Sequence, residues 1–159
     1  MIGGGDWAKD RIIPDIVRAL SQNESIEVRN PNAVRPWQHV LEPIGGYLHL
    51  GTKMMDDPIR YADAWNFGPL AEDTLTVKNL AELAIQVWGS GDFHTPQYIG
   101  ALHEAKLLKL DISKTVNELG WQPKMNAAKA IEWTIEFYKA TMSGDKDITK
   151  TQISEYIKG

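Results

Sequence analysis

Residues 119–138 read LGWQPKMNAAKAIEWTIEFY and predict the end of one helix and most of the next. Gly120 is the residue type that ends a helix in the left-handed conformation, and Pro123 follows it closely, as is common beyond a helix end. Asn126 is a preferred N-cap residue and precedes a segment with helical spacing. The predicted buried face of that segment consists of Ala127, Ala130, Ile131, Thr134, Phe137 and Tyr138. The stretch therefore predicts a short helix, a turn and a long amphipathic helix.

Further helices are predicted upstream of this stretch. Asp111 is placed to cap the short helix that Gly120 ends. Thr76 is placed to cap another helix, which Gly89 ends. Apolar residues at helical spacing predict two more helices, over residues 11–20 and 41–55.

Short extended segments are predicted between these helices. They are SIEVRN (25–30), RPWQHV (35–40) and DAWNFGP (63–69), which alternate in polarity or end at Gly-Pro and Asn-Pro breakers. The whole pattern predicts an α/β domain over residues 1–142. Residues 143–159 are polar and are predicted to form a tail that is either a loosely docked turn or disordered.

The composition excludes several classes of function. The 159 residues are 43% hydrophobic and 24% charged, as suits one compact domain. The 17 basic residues are scattered among 21 acidic ones, for a net charge of −4, whereas a nucleic-acid surface needs a dense basic patch. The chain has no cysteine, and no apolar run approaches the roughly 20 residues of a membrane span. We therefore expect no nucleic-acid partner, no membrane partner and a cytoplasmic location.

A run of three glycines lies in IGGGDWAKDR, residues 2–11. A dinucleotide-binding loop needs glycines at fixed spacing between a strand and a helix, with an acid about 20 residues further on. Gly3, Gly4 and Gly5 are consecutive, and no Gly-Lys-Ser or Gly-Lys-Thr phosphate loop occurs in the chain. The four histidines also lack the spacing of a zinc site. We therefore expect neither a cofactor-binding loop nor a metal site, and the glycines are either a flexible end or an interior segment.

Four segments carry a resemblance to a known family. In chain order they are IGGGDWAKDRIIPDIVRAL (2–20), RPWQHVLEPIGGYLHL (35–50), AWNFGP (64–69) and HEAKLLKLDISKTVNELGWQP (103–123). Together they resemble the C-terminal part of an extended short-chain dehydrogenase/reductase (SDR) acting on nucleotide sugars, over about residues 1–141. The first two resemble the CDP-glucose 4,6-dehydratase subfamily in particular, whereas LGWQP is shared with epimerases. The resemblance implies a substrate-binding subdomain, a small mixed sheet with several helices, whose Rossmann NAD-binding half is absent, and it makes the glycines interior.

The resemblance also implies which catalytic parts are missing. In this family a Tyr-x-x-x-Lys pair shuttles a proton during hydride transfer, because the lysine lowers the pKa of the tyrosine. The tyrosines that can be checked for a lysine four residues downstream all lack one: Tyr47, Tyr61, Tyr98 and Tyr138. We therefore expect no catalytic residue and no bound cofactor in this chain. In the intact enzyme the resemblance implies NAD, oxidation of the sugar at C4, loss of water across C5 and C6, and return of the hydride to C6.

Two arginines are the candidates for holding the diphosphate of a nucleotide sugar, since the guanidinium fork can bond two phosphate oxygens. Arg35 matches the family position that contacts the diphosphate; the alternative is a surface arginine paired with a nearby acid. Arg11 matches a basic position at the start of the first helix, where a phosphate also gains from the helix N-terminus. Its alternative is a solvated charge. Gly5, with its neighbours Gly3 and Gly4, is predicted to allow close backbone approach in the pocket floor.

The remaining candidates concern the base and the sugar. The backbone of Ile26, Glu27 and Val28 corresponds to the segment that lies against the nucleobase; the alternative is a simple edge strand. Trp7 is placed to stack on a sugar or to cover the glycine loop, with burial in the core as the alternative. His103 and Glu104 end the loop that closes over the nucleotide in relatives, or are ordinary surface residues.

Two further functions stay open. One is a fragment of a nucleotide-sugar 4-epimerase or reductase, and the other is a non-catalytic nucleotide-sugar-binding or interaction module. The expected partners are CDP-glucose or another nucleotide sugar and the missing Rossmann domain. That domain would cover apolar surface, so an exposed patch that favours self-association is also expected. The family's asparagine after the NFG turn is absent, because Pro69–Glu72 reads PLAE.

Overall fold

A computed structural model describes residues 1–96 and 108–159 and gives a mixed α/β fold in that part of the chain. The helices are α1 (Ile12–Ser21), α2 (Leu41–Asp56), α3 (Pro58–Tyr61), α4 (Val77–Trp88), α5 (Ala127–Met142) and α6 (Ile148–Lys158). The strands are β1 (Ile26–Glu27), β2 (Val34–Arg35), β3 (Leu75–Thr76) and β4 (Phe93–His94). The predicted α/β fold with several helices and few strands is confirmed, but the strands do not join into the one small mixed sheet that was expected.

The strands pair in two separate two-stranded sheets. Strand β1 is parallel to β4, with Ile26 opposite Phe93, and β2 is antiparallel to β3, with Val34 opposite Thr76. A single parallel bridge also joins Ile2 to His39. The extended segment predicted at 25–30 is therefore confirmed at Ile26 and Glu27, whereas in 35–40 only Arg35 lies in a strand and His39 in the single bridge.

The strand predicted over residues 63–69 is wrong. This segment has no regular structure. Its aromatic residues alternate because Trp65 and Phe67 both pack against a small cluster that contains Trp121, with the Phe67 and Trp121 ring centroids 5.0 Å apart. The carbonyl of Asn66 accepts a 2.7 Å hydrogen bond from the Thr115 hydroxyl. Side-chain packing, without a neighbouring strand, produces the alternation.

The main core lies between α1, α4, α5 and β1. Helix α1 buries the face predicted for it, and α4 and α5 contribute small residues that allow close helix packing. The fully buried members include Ile16, Val17, Ile26, Val28, Leu80, Ala81, Ala84, Ala127, Ile131, Ile135 and Tyr138. Because Ile26 of β1 and Val28 just after it are buried in this core, the strand is held firmly against α1.

Local capping residues set the helix ends as predicted. The Thr76 hydroxyl accepts a hydrogen bond from the Asn79 N–H, and Gly89 ends α4 with φ of 103°. The Asn126 side chain caps α5 through the Lys129 N–H. The Asp111 carboxylate accepts the Ser113 N–H at 2.8 Å. The short helix that follows is a π-helical turn, Thr115–Leu119, which Gly120 ends.

Helix α2 forms as predicted, but its buried side differs from its apolar stripe. Glu42, Pro43 and Gly46 are buried, whereas Leu48 is 69% and Met55 is 85% exposed. Neighbouring side chains pack closely on two glycines of α2, since an added Cβ would lie 2.9 Å from the Tyr156 hydroxyl at Gly45 and 2.2 Å from the Phe67 ring at Gly46. A Cβ at Gly51 would have no neighbour within 4 Å.

The C-terminal residues differ from the expected loose turn or disordered tail. Ile148–Lys158 forms α6, which packs on α5. Gln152 is buried in this contact, and its side-chain amide donates to the Trp133 carbonyl at 2.8 Å. The helix was missed because its contacts are polar, so its apolar periodicity is weak. Among the described residues, no helix is long and apolar enough to cross a membrane.

Candidate functional site

Two of the segments quoted for the resemblance meet in space. The Ile2 N–H donates to the Gln38 carbonyl and the Val40 N–H donates to the Ile2 carbonyl, each at 2.8 Å. These bonds place the glycine run beside the PWQHV segment. A cavity of about 590 Å³ lies at this junction, lined by Gly3, Gly4, Arg11, Trp37, Val40 and neighbouring residues. That volume lies within the range of small-molecule sites.

The glycine run is needed for close packing by the chain itself. A Cβ at Gly4 would lie 1.9 Å from the Phe137 ring, and one at Gly3 would lie 2.8 Å from Val40. Gly5 has φ of +85°, which disfavours other residues, and a Cβ there would have no neighbour within 4 Å. Gly4 therefore packs tightly on α5 and Gly3 on Val40, whereas Gly5 is required by its backbone conformation. The approach of a ligand to Gly5 stays a prediction.

Arg11 stands at the N-cap of α1, as predicted, but it has a protein partner. Its guanidinium contacts the Asp6 carboxylate at 2.8 Å, and 67% of the Arg11 side chain is exposed. The Ala8 N–H and Arg11 hold the pKa of Asp6 below its usual value. Exposed ion pairs contribute little free energy. A phosphate could therefore displace Asp6 at small cost, and the phosphate contact of Arg11 stays a prediction.

The Trp7 side chain packs on Tyr138 at the surface and is not a core residue. Its side chain is 52% exposed, and its ring meets Tyr138 edge-on with 5.1 Å between centroids. The Tyr138 hydroxyl donates to the Asp6 carbonyl at 2.5 Å, and Arg18 donates to the carbonyls of Trp7 and Ala8. These bonds hold the loop against α1 and α5. Stacking of a sugar on the exposed face of Trp7 stays a prediction.

The structure corrects part of the base contact expected from β1. The Ile26 N–H donates to the Asp92 carbonyl at 3.0 Å and the Val28 N–H to the His94 carbonyl at 2.9 Å. These two donors are used in pairing with β4 and cannot also read a base. Because backbone groups alternate along a strand, the Glu27 N–H and carbonyl point to the opposite edge. A base contact by the rest of this segment, including Glu27, stays a prediction.

Arg35 lies apart from Arg11, in a narrow cleft next to β2 and β3. The cleft is lined by Pro69–Ala71 and Leu108–Leu110, and its volume of about 10 Å³ holds a single water molecule. Arg35 donates to the Val34 carbonyl at 3.0 Å, and the Lys109 ammonium donates to the Ala71 carbonyl at 3.0 Å. The structure therefore does not bring the two arginines into one cavity. His103 and Glu104 lie outside the described residues.

Two buried polar side chains next to the cavity were not predicted. Gln38 is 5% and His39 is 3% exposed, and the side-chain Nε2 atom of each has no hydrogen-bond partner within residues 1–96 and 108–159. His39 Nδ1 accepts the Leu41 N–H at 3.3 Å, and its ring lies edge-on to Trp133. Burial lowers the pKa of His39 to about 4. The alternation in RPWQHV predicts a strand, in which the neighbours Gln38 and His39 would face opposite sides. The sequence therefore gives no sign that both side chains are buried. Among the described residues no group of three or more metal-ligating side chains occurs.

The low pKa of His39 predicts a loss of stability in mild acid. The unfolded chain takes up a proton near pH 6.5, whereas folded His39 takes one up only near pH 4. The unfolded state binds more protons between these values, so the free energy of unfolding falls as pH drops from about 6.5 to 4, by roughly 1–3 kcal/mol. Urea unfolding across this range measures the effect.

A His39→Gln variant is the control for that pH dependence. Other groups titrate in both proteins, so the difference between the two curves isolates His39. We expect the free energies of unfolding of the unchanged protein and of His39→Gln to approach each other as pH falls from about 6.5 to 4, because only the unchanged protein loses the contribution of His39. A difference that stays constant would contradict the assignment.

The sequence and the fold of this chain are similar to those of known proteins. The chain is 38% identical over 159 residues to CDP-glucose 4,6-dehydratase of Salmonella typhimurium, across 99% of this chain and 44% of that protein. A dTDP-glucose 4,6-dehydratase from Bacillus anthracis in complex with NAD is 18% identical, with a TM-score of 0.68 over 91% of this chain. A UDP-glucuronic acid 4-epimerase from Bacillus cereus in complex with NAD is 15% identical, with a TM-score of 0.70 over 93% of this chain. No family model matches.

The chain has the C-terminal fold of an extended short-chain dehydrogenase/reductase. It spans less than half of each of these relatives, 44% in all three cases. The predicted resemblance to the C-terminal part of an extended SDR, with sequence similarity to CDP-glucose 4,6-dehydratase, is confirmed. Dehydratases and epimerases share this extended SDR fold, so the fold by itself does not choose between the two reactions.

The glycine run does not have the geometry of a dinucleotide-binding loop. The glycine run packs against Phe137 and Val40. A dinucleotide loop instead presents its glycines between a strand and a helix N-terminus.

Proposed function

We propose that this chain is the nucleotide-sugar-binding part of a CDP-glucose 4,6-dehydratase-like enzyme and that it holds the CDP portion of the substrate. The observation that carries the proposal is the 38% identity to the Salmonella typhimurium enzyme along 99% of this chain. The intact enzyme would join this part to an NAD-binding half, act on the sugar with NAD and work in the cytoplasm.

The site geometry supports a binding role. The cavity at the glycine run combines an apolar wall, including Trp37 and Val40, with one cationic side chain, Arg11. Small-molecule sites usually have this make-up, an apolar lining with a few placed polar groups. Arg35 is the second guanidinium predicted to contact the diphosphate, although its separate cleft beside β2 and β3 is too narrow for a diphosphate unless the cleft widens on binding. No catalytic Tyr-x-x-x-Lys pair occurs in the chain, so binding is the role its own residues suit.

Exposed apolar surface supports the proposed partner domain. On α2 and α3, Leu48 is 69%, Met55 is 85% and Ile59 is 91% exposed. Contiguous exposed apolar surface commonly marks an interaction site. An NAD-binding half would cover it in the intact enzyme, and self-association of the separate chain through it stays a prediction.

Substitution of Arg35 tests the binding role. We expect Arg35→Ala to weaken the affinity for CDP about tenfold or more, because a charge-assisted hydrogen bond to phosphate is worth roughly 1.5–3 kcal/mol. Isothermal titration calorimetry with CDP measures this in the intact protein. Arg60→Ala is the matched control, since Arg60 is exposed on α3 and contacts the Tyr61 ring. Equal CDP affinity in Arg35→Ala and the unchanged protein would contradict the assignment of Arg35 to the CDP site.

The reaction is tested separately from the binding site. Incubation of the intact protein with CDP-glucose and NAD should give a 4-keto-6-deoxy sugar, seen by its absorbance in base. Turnover of a UDP-sugar without loss of water would favour the epimerase alternative, which has the same fold.

A further inference from the structure

We propose that α6 is a latch that positions the first turn of α2 and, through it, the 37–40 wall of the cavity, with Tyr156 as the positioning residue. The Tyr156 hydroxyl donates to the Glu42 carboxylate at 3.2 Å. Glu42 is fully buried in the first turn of α2, 114 residues away in sequence. The last helix of the described chain is thus bonded directly to the element that follows PWQHV.

The Glu42 carboxylate joins three segments. Besides the Tyr156 hydroxyl, it accepts the Lys124 N–H at 3.1 and 3.0 Å and the Met125 N–H at 2.8 Å. Those two amides belong to the turn before α5. A buried carboxylate is stable only when its oxygens are satisfied by donors, and here the donors come from the turn before α5 and from α6. The position of α2 therefore depends on both.

The Tyr156 side chain fits its place closely. The Lys124 ammonium lies 5.1 Å from the Tyr156 ring centroid and donates to the Tyr156 carbonyl at 3.2 Å. Gly45, one turn beyond Glu42, leaves the space that the Tyr156 ring occupies, since a Cβ there would lie 2.9 Å from the hydroxyl and 3.3 Å from Cε1. The absence of a side chain at Gly45 is what lets α6 approach α2.

A second set of contacts runs from α6 to the cavity wall. The Gln152 amide donates to the Trp133 carbonyl at 2.8 Å. The Trp133 ring lies edge-on to His39, with 5.9 Å between centroids. His39 in turn accepts the Leu41 N–H, and its neighbour Val40 lines the cavity. Two independent routes thus connect α6 to residues 39–41.

Site-resolved hydrogen exchange of Tyr156→Phe tests the latch. The variant keeps the ring and its packing but removes the hydroxyl. We expect amide exchange at Lys124, Met125, Val40 and Leu41 to rise about tenfold while the thermal midpoint changes little. Tyr47→Phe is the matched control on α2, because the Tyr47 ring is 57% exposed and packs on Phe67. Faster exchange at Lys124 and Met125 without a rise at Val40 and Leu41 would overturn the proposal.

A pair of glycine substitutions tests the same contact from the other side. Alanine generally favours a helix over glycine, so Gly51→Ala should raise the thermal midpoint. Gly45→Ala has the same propensity gain but must displace the Tyr156 hydroxyl, so we expect a lower midpoint and the same four amides to exchange faster. Equal behaviour of the two variants would overturn the latch. These experiments use no nucleotide, so their outcomes are independent of the CDP measurements that test the proposed function. Only the role of the cavity in binding rests on the proposed function.

Discussion

Replacement of Glu42 by alanine is expected to lower the free energy of unfolding by about 3–5 kcal/mol. The Glu42 side chain is 0% exposed, and alanine removes its carboxylate altogether. The Lys124 and Met125 N–H groups and the Tyr156 hydroxyl then lose their acceptor. Each buried donor without a partner costs roughly 1–3 kcal/mol. Urea unfolding followed by circular dichroism measures the loss.

Two further variants separate the carboxylate from the general effect of removing a glutamate. Glu118→Ala, on the exposed side of the π-helical turn, should change the free energy of unfolding by no more than about 0.5 kcal/mol. Glu42→Gln keeps the shape of the side chain and one acceptor oxygen but turns an NH₂ group toward N–H donors. Its loss of unfolding free energy should therefore lie between those of Glu118→Ala and Glu42→Ala. A loss below about 1 kcal/mol for Glu42→Ala would show that the three donors find other partners.

The importance of Glu42 was not visible in the sequence for a physical reason. An acidic residue in the first turn of a helix is already favourable, because it faces the positive end of the helix dipole. Nothing local indicates burial, and the donors lie 82 to 114 residues away in the chain. Helix α6 was missed for the same reason. Its attachment depends on Gln152 and Tyr156, which are polar residues that periodicity does not count.

The helix ends, in contrast, could be predicted because their causes are local. Thr76 and Asn126 each accept an N–H from a residue three positions on, and Gly89 and Gly120 adopt positive φ. Such contacts depend only on the types of a few neighbouring residues. Strands depend on a partner elsewhere in the chain, which is why a run such as residues 63–69 alternates in polarity without forming one.

The sequence indicated which segments border the cavity, but not the contacts of their side chains, and the role of the cavity in binding stays a prediction. The glycine run does lie beside the PWQHV segment and borders a cavity, as expected for part of a pocket floor. The sequence did not indicate that Asp6 would pair with Arg11, or that Arg35 would line a separate cleft. Ion pairs between exposed side chains follow from loop geometry, which residue types alone do not determine.

Substitution of Gly4 by alanine is expected to lower the free energy of unfolding by about 2–3 kcal/mol, although only a methyl group is added. The new Cβ would lie 1.9, 2.1 and 2.3 Å from three ring carbons of Phe137, far inside contact distance. The ring is partly buried against the main core, so it cannot swing away without leaving apolar neighbours. Urea unfolding measures the loss, and Gly5→Ala is the adjacent comparison.

The comparison with Gly5 distinguishes two reasons for a glycine. Gly5→Ala meets no atom within 4 Å, but its φ of +85° makes alanine unfavourable by about 1 kcal/mol. In a Phe137→Ala background the cost of Gly4→Ala should fall close to zero, because the clashing ring is gone, whereas the cost of Gly5→Ala should not change. A Gly4→Ala cost that persists without the ring would mean that backbone conformation, and not packing against α5, requires glycine in the cavity floor.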